Sequence, residues 1–429
     1  MTSLADLPAA EALARLRAGE VTSEALVSAC LARIAEADAR LGAFEHVDPD
    51  AALAAARRVD AMAERPPLAG LPLGVKDIFD TADLPTERGS EAFRGRRPAR
   101  DAAAVARLRA AGAVILGKTV TTELAFFRPG RTVNPYDPAR TPGGSSSGSA
   151  AAVAAGLVPA ALGTQTAGSI IRPASFCGVV GFKPTFGAVP MDGVSPFAPS
   201  LDTFGVFVRD VAALPPLLAA VGVPAHAPPL RASPRLALCR TEQWPLAEPA
   251  TQALVEGAAA RLGRAGAEVE ELDLGPAFAG LADAQRTLMA AEASRTLAEL
   301  RARHAPLLSP VLLEFLAEGE RVSAAREAAA RSQAERCRAS LPEIFARFDA
   351  LLTPSALGEA PVGLASTGDP AFDRAWTLLG TPCASLPLAL GPAGLPVGVQ
   401  VVGAPGADGA LVAACAWILG DRAGKVSAC

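Results

Sequence analysis

The chain has 429 residues, of which 50% are hydrophobic and 20% charged, and its formal net charge at pH 7 is −4. This apolar content suffices for a large buried core and excludes an intrinsically disordered chain. The 40 basic residues are outnumbered by 44 acidic ones. That balance argues against a surface that binds nucleic acid or an anionic membrane, because such a surface needs clustered basic charge.

No targeting or membrane-spanning segment is indicated. Residues 1–19 carry four charged side chains where a signal peptide would need an apolar core. The most apolar stretch, Ala150–Ile170, is interrupted by Gly156, Pro159 and Gly163, which excludes a membrane-spanning helix. The seven cysteines are scattered without C-x-x-C spacing, which favours reduced thiols and a cytoplasmic location.

Apolar spacing predicts helices near the N-terminus. One runs from Pro8 to Gly19, and a second begins near Thr22 or Ser23, both good N-caps. The second helix is expected to bury a stripe formed by Leu26, Cys30 and Ile34.

Between residues 70 and 210, β-rich runs alternate with helices and with Gly- and Ser-rich loops. The expected elements are a strand at Leu73–Phe79, a helix at 102–111, a β-run at Ala113–Leu116, a loop at Asn134–Gly148, a helix at Ser149–Ala155 and a turn at Gly163–Ser169.

The second half reads as mainly helical. Prolines between Pro215 and Pro234 indicate a surface connection. Helical periods cover 250–264, 280–304 and 309–348, the last interrupted at Pro342, and alternating valines predict a strand at Val397–Val402. Strands that alternate with helices indicate an α/β fold with a largely covered sheet.

Lysine is rare, with four residues among 40 basic ones: Lys76, Lys118, Lys183 and Lys425. Arginine stays protonated at any usable pH, whereas a buried lysine can lose its proton. Three of the four fall between residues 76 and 183, the most Gly- and Ser-rich part of the chain. Chance or packing could explain any one of them, but together they direct attention to this region.

Two further segments match known functional motifs. We reject the first match and keep the second as an alternative. Gly112–Thr119 fits the P-loop pattern, but the residues between its glycines read as a strand, so we reject nucleotide binding. Gly144–Gly148 fits the G-x-S-x-G elbow of α/β-hydrolase esterases. A proline-containing loop precedes it instead of a strand, and the later His226 and His304 have no catalytic context, so esterase activity is the weaker alternative.

A serine without a histidine partner needs another base. A lysine buried in a low-dielectric site loses its charge more readily and can then accept a proton. Lys76, Ser145 in the first Ser-rich loop and Ser169 in the second turn could meet at one site.

These segments resemble the amidase signature family. The resemblance rests on GVKD at 74–77, PGGSSSGSAAAVAAGLVPAALGT at 142–164, GS at 168–169, CGVVGFKPT at 177–185, SLD at 200–202 and LPVGVQ at 395–400. It is dense over residues 70–210 and thin over the last fifty.

The resemblance implies one amidase domain over residues 1–429, with a large mixed β-sheet that helices cover on both faces. Within it we expect a helical N-terminal segment at 1–69, the signature core at 70–210, a helical substrate-side region at 211–370 and a C-terminal return to the core at 371–429. It also implies an enzyme without metal or cofactor, and similar enzymes suggest a homodimer.

The resemblance further implies a Ser–cis-Ser–Lys triad. Ser169 is then the nucleophile, Ser145 the bridging serine that follows a cis peptide bond, and Lys76 the base. Lys118 and Lys183 are left with structural roles. The oxyanion is expected to be held by the backbone N–H groups of Thr166, Ala167, Gly168 and Ser169.

Departures from the common family pattern G-T-D-x-G-G-S-I-R make the chain look most like the malonamidase-type branch. Gln165 stands where an acid is usual, Ala167 replaces a glycine, and Arg172 follows Ser169 by three residues instead of two. In that branch the equivalent arginine is associated with a substrate carboxylate, which a guanidinium fork suits. The alternative is that Arg172 pairs with a protein acid such as Asp202.

We therefore expect an amidohydrolase that cleaves the C–N bond of a small amide, with a malonamate-like carboxylated amide as one candidate. Cleavage would pass through a serine acyl-enzyme and release ammonia. Two further alternatives stay open: an amidotransferase subunit that supplies ammonia to a partner, and a non-catalytic binding protein that retains the fold.

Overall fold

One large sheet runs through the protein. The computed structural model describes residues 3–224 and 230–420, and in these ranges eleven strands pair into a single mixed sheet. The strands are β1 (Phe44–Val47), β2 (Pro72–Lys76), β3 (Val114–Thr119), β4 (Ala160–Gln165), β5 (Val180–Lys183), β6 (Thr203–Val208), β7 (Arg235–Cys239), β8 (Glu268–Leu272), β9 (Ala350–Pro354), β10 (Cys383–Leu390) and β11 (Pro396–Val402).

Fourteen helices in the same ranges pack around this sheet. They are α1 (Ala9–Ala18), α2 (Ser23–Leu41), α3 (Pro49–Asp60), α4 (Ala103–Ala110), α5 (Ser147–Ala154), α6 (Ile171–Phe176), α7 (Leu214–Ala220), α8 (Pro249–Arg264), α9 (Leu281–Thr296), α10 (Ala298–His304), α11 (Pro310–Glu320), α12 (Ala324–Arg347), α13 (Ala371–Leu379) and α14 (Asp408–Gly420). The expected α/β class with a large mixed sheet is confirmed.

The strand order is β1-β3-β2-β4-β6-β5-β10-β11-β9-β7-β8. Strand β2 lies between β3 and β4 and is parallel to both, so the carboxyl ends of the three strands meet at one edge. Lys76 is the last residue of β2 and Gln165 the last of β4. Each of these strands is buried along its whole length, as expected for strands covered on both faces.

The two predicted N-terminal helices are confirmed. Gly19 ends α1 with a left-handed backbone at φ 71°, a conformation that glycine adopts without steric cost. The Thr22 side chain accepts a hydrogen bond from Ala25 N and so caps α2. Leu26, Cys30 and Ile34 are buried, as the stripe predicted.

Three predicted boundaries near the glycine-rich loops were wrong. The strand expected to reach Phe79 ends at Lys76, because Ile78 N and Phe79 N both turn back to the Lys76 carbonyl. The turn expected from Gly163 begins later, since Gly163 pairs with Gly205 inside β4. Helix α5 begins two residues earlier than predicted, at Ser147.

The second half also differs from expectation at its prolines. Pro215 and Pro216 lie at the start of α7 and not in a connection, since proline fits the first helical turn. Pro342 lies inside α12, and the predicted interruption falls instead at residues 321–323, between α11 and α12. Leu341, next to the proline, is buried, so the helix packs against the core at the point where the ring removes a hydrogen bond. His226 and Lys425 lie outside the described residues.

Strand β3 contains most of the segment that matches the P-loop pattern, Gly112–Thr119. Gly117 and Lys118 lie inside this strand, so their backbone amides belong to the sheet. The Lys118 amine is fully buried and contacts the Asp77 carboxylate at 2.9 Å, the Phe79 carbonyl at 2.8 Å and the Thr86 hydroxyl at 2.6 Å. This lysine therefore fixes the turn that follows Lys76.

The cysteines and the helices of the same ranges bear on two further expectations from the sequence. The six cysteines described are free and buried. Among the described residues, the structure contains no helix with the length and apolar character needed to cross a membrane.

We predict that Lys118→Met lowers the free energy of unfolding by about 3–5 kcal/mol, because the Asp77 carboxylate would stay buried without its counter-ion. Urea denaturation at pH 7 measures the change. Arg303→Ala is the control, since Arg303 pairs with Glu299 at 2.7 Å on the surface. There the loss should stay below about 1 kcal/mol. Equal losses in both variants would contradict a structural role for Lys118.

Candidate active site

Lys76 meets Ser145 at the carboxyl edge of the sheet. Its Nζ lies 2.7 Å from Ser145 Oγ and 2.9 Å from Thr164 Oγ1. Lys76 is fully buried and Ser145 is 4% exposed. The parallel pairing of β2 with β4 brings Lys76 and Thr164 together, and the loop before α5 places the serine above them.

Burial governs the charge of this lysine. Desolvation lowers the pKa of Lys76 well below its ordinary value of 10.5, and the charge of Asp202 opposes this shift. Burial also raises the pKa of Asp202 to about 6, although its carboxylate accepts hydrogen bonds from Thr166 Oγ1, Phe197 N and Ala198 N. The site therefore favours a neutral amine.

The peptide bond between Gly144 and Ser145 is cis, as the resemblance implies. A Cβ at position 144 would lie 2.7 Å from Thr367 Cγ2, so the close approach of that threonine requires glycine. Ser146 Oγ bonds the Thr164 carbonyl at 3.2 Å, and Ser147 Oγ bonds the Val120 carbonyl at 3.4 Å. Both neighbouring serines thus hold the loop and do not contact Lys76.

The loop at 166–169, which we call the amide loop, has its carbonyls bound and its amides free. The carbonyl of Thr166 accepts from Gln285 Nε2 at 2.8 Å, that of Ala167 from Thr377 Oγ1 at 2.7 Å and that of Gly168 from Arg172 N at 3.1 Å. The four backbone N–H groups of the loop donate no hydrogen bond to the described part of the chain. They are therefore free to bind an anionic oxygen.

The side chain of Gln165, the residue before the amide loop, bonds to backbone groups that follow the loop and to Thr377. Its Oε1 accepts from Ile170 N at 2.8 Å and Ile171 N at 3.1 Å, and its Nε2 donates to Thr377 Oγ1 at 2.9 Å. An ionised acid at this position could not donate to Thr377 Oγ1 and would compete with the Ala167 carbonyl for the threonine proton, which gives a physical reason for the glutamine. Gly168 is required as well, because a Cβ there would overlap the Asp373 carboxylate.

Ser145, Ser169 and Arg172 line one small cavity together with the amide loop. Its volume of about 20 Å³ holds little more than one water molecule. The rest of its wall is mainly apolar and includes Ala125, Phe126, Phe127, Phe197, Met289 and Pro370. Ser145, Ser169, Arg172 and the amide loop, all predicted from the sequence, therefore line the same cavity. Lys76 does not line it and contacts Ser145 instead.

The aromatic part of this wall follows a strained segment. Leu124 and Ala125 have φ angles of 50° and 61°, a left-handed conformation that costs a non-glycine residue about 1–2 kcal/mol. The Phe126 ring lies 5.3 Å from that of Phe197 and 4.5 Å from that of Phe315. This packing holds the segment against the cavity.

The charge of Asp373, and not that of Asp202, acts on Arg172. Pairing with a protein acid therefore stays an alternative for Arg172. Its Nη2 bonds the Gly144 carbonyl at 2.7 Å, and its Nε bonds the Thr367 carbonyl at 2.8 Å. Its Nη1 is buried without a hydrogen-bond partner among the described residues. Burial lowers the pKa of Arg172 to about 10, so the group stays charged at neutral pH.

Sequence reasoning missed several residues of the site. Thr164 was visible as the end of a matching segment, but its contact with Lys76 was not anticipated. Gln285, Thr377 and Asp373 come from helices α9 and α13, in a region without a readable motif. Lys118 and Lys183 bind backbone carbonyls away from both serines, as their structural reading expects.

The other predicted chemistries find no support in the geometry. The G-x-S-x-G segment leads from a loop into α5 and does not follow a strand directly, and neither His46 nor His304 lines the cavity. In the described ranges one group could hold a metal ion: Glu45, His46 and Glu87, whose donor atoms lie within 4.8 Å of one another. These three residues are half-buried and do not line the cavity either.

Comparison with known proteins gives a consistent result. The family model described as Amidase matches residues 25–412. A glutamyl-tRNA(Gln) amidotransferase subunit of Symbiobacterium thermophilum is 36% identical, and the alignment covers 91% of this chain and 92% of that protein. The 2-amino-5-chloromuconic acid deaminase of Comamonas testosteroni is 34% identical, with 95% and 94% covered.

Some matches are shorter. The corresponding amidotransferase subunit of Chloroflexus aurantiacus is 46% identical over 228 residues, so the matched part of the chain spans about half of that relative, 47% of its length. The relatives do not place the chain in the malonamidase-type branch.

Solved structures agree with the family match. A crystal structure of an amidase superposes with a TM-score of 0.88 at 32% identity, covering 96% of this chain and 99% of that one. The native peptide amidase of Stenotrophomonas maltophilia superposes with a TM-score of 0.81 at 34% identity, with 97% of each chain covered. The family match over most of the chain, these structures and the full-length relatives together show that the chain belongs to the amidase family.

Proposed function

We propose that the protein hydrolyses small primary amides with Ser169 as nucleophile, Ser145 as bridging serine and Lys76 as base. The observation that carries the proposal is the 2.7 Å contact between Lys76 Nζ and Ser145 Oγ at a fully buried position. An amine whose pKa burial has lowered is neutral over a wider pH range and can accept a proton.

Acylation follows from this arrangement. Neutral Lys76 accepts the Ser145 proton while Ser145 accepts the proton of Ser169, whose Oγ attacks the amide carbonyl carbon. The carbonyl oxygen becomes anionic and is held by the free amides of the loop at 166–169, the proposed oxyanion hole of Thr166, Ala167, Gly168 and Ser169. Loss of one such donor costs about 10²- to 10³-fold in kcat.

Acylation ends with the reverse proton path, and hydrolysis of the acyl-enzyme follows. The proton on Lys76 returns through Ser145 to the leaving nitrogen, the C–N bond breaks and ammonia departs. Water then attacks the ester on Ser169 and gives its proton through Ser145 to Lys76. The carboxylic acid leaves, and Ser169 regains its proton, so the enzyme returns to its starting state without any other reactant.

A carboxylate on the substrate is the finer part of the proposal. Arg172 lines the same cavity as Ser169, and its buried Nη1 has no hydrogen-bond partner among the described residues. A small anionic group would satisfy this donor and offset the buried charge. A malonamate-like amide carries such a carboxylate close to its amide group.

A second candidate is an amidotransferase subunit that supplies ammonia to a partner. It is favoured by the 36% identity with the Symbiobacterium thermophilum protein over 91% of this chain. The discriminating measurement is ammonia release by the purified chain alone. Release without a partner supports the amidohydrolase, whereas no release over a panel of small amides supports the partner-dependent function.

For Lys76→Met we predict at least about a 10³-fold loss of kcat, because the relay loses its base. Ammonia release measures the loss. At a pH below 10.5, the ordinary pKa of lysine, the Lys76 amine is protonated in the unfolded chain and must lose its proton on folding. This cost falls as the pH rises towards 10.5, so the wild-type protein gains stability relative to the variant.

Thermal midpoints at pH 7 and pH 10 test the sign of this linkage. The difference between wild type and Lys76→Met should move in favour of the wild type at pH 10. A difference that is the same at both pH values would mean that Lys76 is not held neutral in the folded protein.

For Arg172→Lys we predict that KM for malonamate rises about tenfold or more, while KM for propionamide stays within about threefold, since lysine lacks the Nη1 group that is free to bind the carboxylate. The uncharged amide is the matched control for damage to the loop, because Arg172 also bonds the Gly144 carbonyl. Equal effects on both amides would remove the carboxylate from the proposal but leave the triad.

A further inference from the structure

The peptide units of the amide loop are held from behind by side chains of two helices that follow it far along the chain. Gln285 lies on α9 and is fully buried, and Thr377 lies on α13 and is 2% exposed. They bond the carbonyls of Thr166 and Ala167 at 2.8 Å and 2.7 Å.

Each of these carbonyls belongs to the same peptide unit as the next N–H group along the chain. The peptide unit is planar, so its C=O and N–H point in opposite directions. A donor that fixes the carbonyl of Thr166 therefore also fixes the N–H of Ala167. In the same way, the donor on the Ala167 carbonyl fixes the N–H of Gly168.

The direction of both contacts is fixed by their own partners. Arg374 Nη1 donates to Gln285 Oε1 at 2.7 Å, and a guanidinium cannot accept. The NH₂ end of Gln285 must therefore face the loop. Gln165 Nε2 donates to Thr377 Oγ1 at 2.9 Å, which leaves the single hydroxyl proton of that threonine for the Ala167 carbonyl.

We propose that Gln285 and Thr377 are positioning residues that aim the N–H groups of Ala167 and Gly168 at the oxygen of the reacting carbonyl. The inference rests on the proposed function of the amide loop. Hydrogen bonding at the carbonyl also polarises the peptide unit, so its N–H becomes a stronger donor. Neither side chain lines the cavity.

Thr377→Val keeps the shape of the side chain and removes the hydroxyl. We expect kcat for the best amide of the panel to fall about 10- to 100-fold, less than the loss of a complete oxyanion donor. KM should stay within about threefold, because the interaction strengthens only in the transition state. Thr377→Ser retains the hydroxyl and should restore kcat to within about threefold of the wild type.

Thr381→Val is the matched control. Thr381 is fully buried, and its Oγ1 bonds the Trp376 carbonyl at 3.1 Å instead of the loop. Both valine variants lose a buried hydroxyl, so both should lower the thermal midpoint. Only Thr377→Val should lower kcat.

Gln285→Glu provides an independent test. The carboxylate keeps the contact with Arg374 but cannot donate to the Thr166 carbonyl, so kcat should fall although the partner of Arg374 remains. Gln285→Met removes the donor without adding charge and should lower kcat by a similar factor. Comparison of the two variants separates the loss of the hydrogen bond to the Thr166 carbonyl from repulsion between a new carboxylate and the oxyanion.

The outcomes separate this inference from the proposed function. An active wild type, an inactive Ser169→Ala variant and an unchanged kcat in Thr377→Val and Gln285→Met would overturn the positioning role alone. Loss of kcat in Thr381→Val equal to that in Thr377→Val would also overturn it. A wild type that releases no ammonia from any amide would overturn the proposed function and this inference with it.

Discussion

Burial of the Lys76 amine is the constraint on which the rest of the site depends. The lysine ends a strand that is paired on both sides, and its side chain is fully buried. Desolvation then disfavours its charge. The Asp202 carboxylate that could restore the charge is held by Thr166 and by two backbone amides, and its own pKa is raised.

The contrast with Lys118 shows how the same residue type takes two roles. Lys118 is equally buried, but its amine contacts the Asp77 carboxylate and several oxygen acceptors. Lys76 is surrounded by hydroxyl groups, which accept a hydrogen bond from a charged amine and donate one to a neutral amine. Burial lowers the pKa of both lysines, but at Lys118 the directly contacting Asp77 carboxylate opposes this shift, whereas Lys76 has no acid in direct contact among the described residues and its pKa falls well below the ordinary value. The two lysines lie on adjacent strands, so the structural one also fixes the turn after the other.

The site joins segments with different sequence signals. Lys76, Ser145 and Ser169 lie in Gly- and Ser-rich motifs, and their residue types and the family resemblance predicted a shared site and the cis peptide bond, which is present. Gln285 and Thr377 had no such signal, because they contact the amide loop across 119 and 210 residues of sequence. Only tertiary packing brings α9 and α13 to the loop, and one sequence does not reveal such pairs.

In the fold, too, features with a local sequence signal were predictable and features set by tertiary contacts were not. Helices with strong caps, such as α1 and α2, were predictable because the signal is local. The strand boundary at Lys76 was not, since backbone turns close it. Pro342 was misread because tertiary burial outweighed a local helix-breaking signal. Arg172 was recognised as important, but its bond to the Gly144 carbonyl depends on the folded loop.

The most direct test of the proton relay is the reaction of the protein with phenylmethanesulfonyl fluoride, followed by peptide mass spectrometry. The account predicts one sulfonyl group, located on Ser169, that forms at least about a hundredfold more slowly in Lys76→Met than in the wild type. A sulfonyl group on Ser145, or equal rates in the two proteins, would contradict Ser169 as a nucleophile activated by a buried neutral lysine.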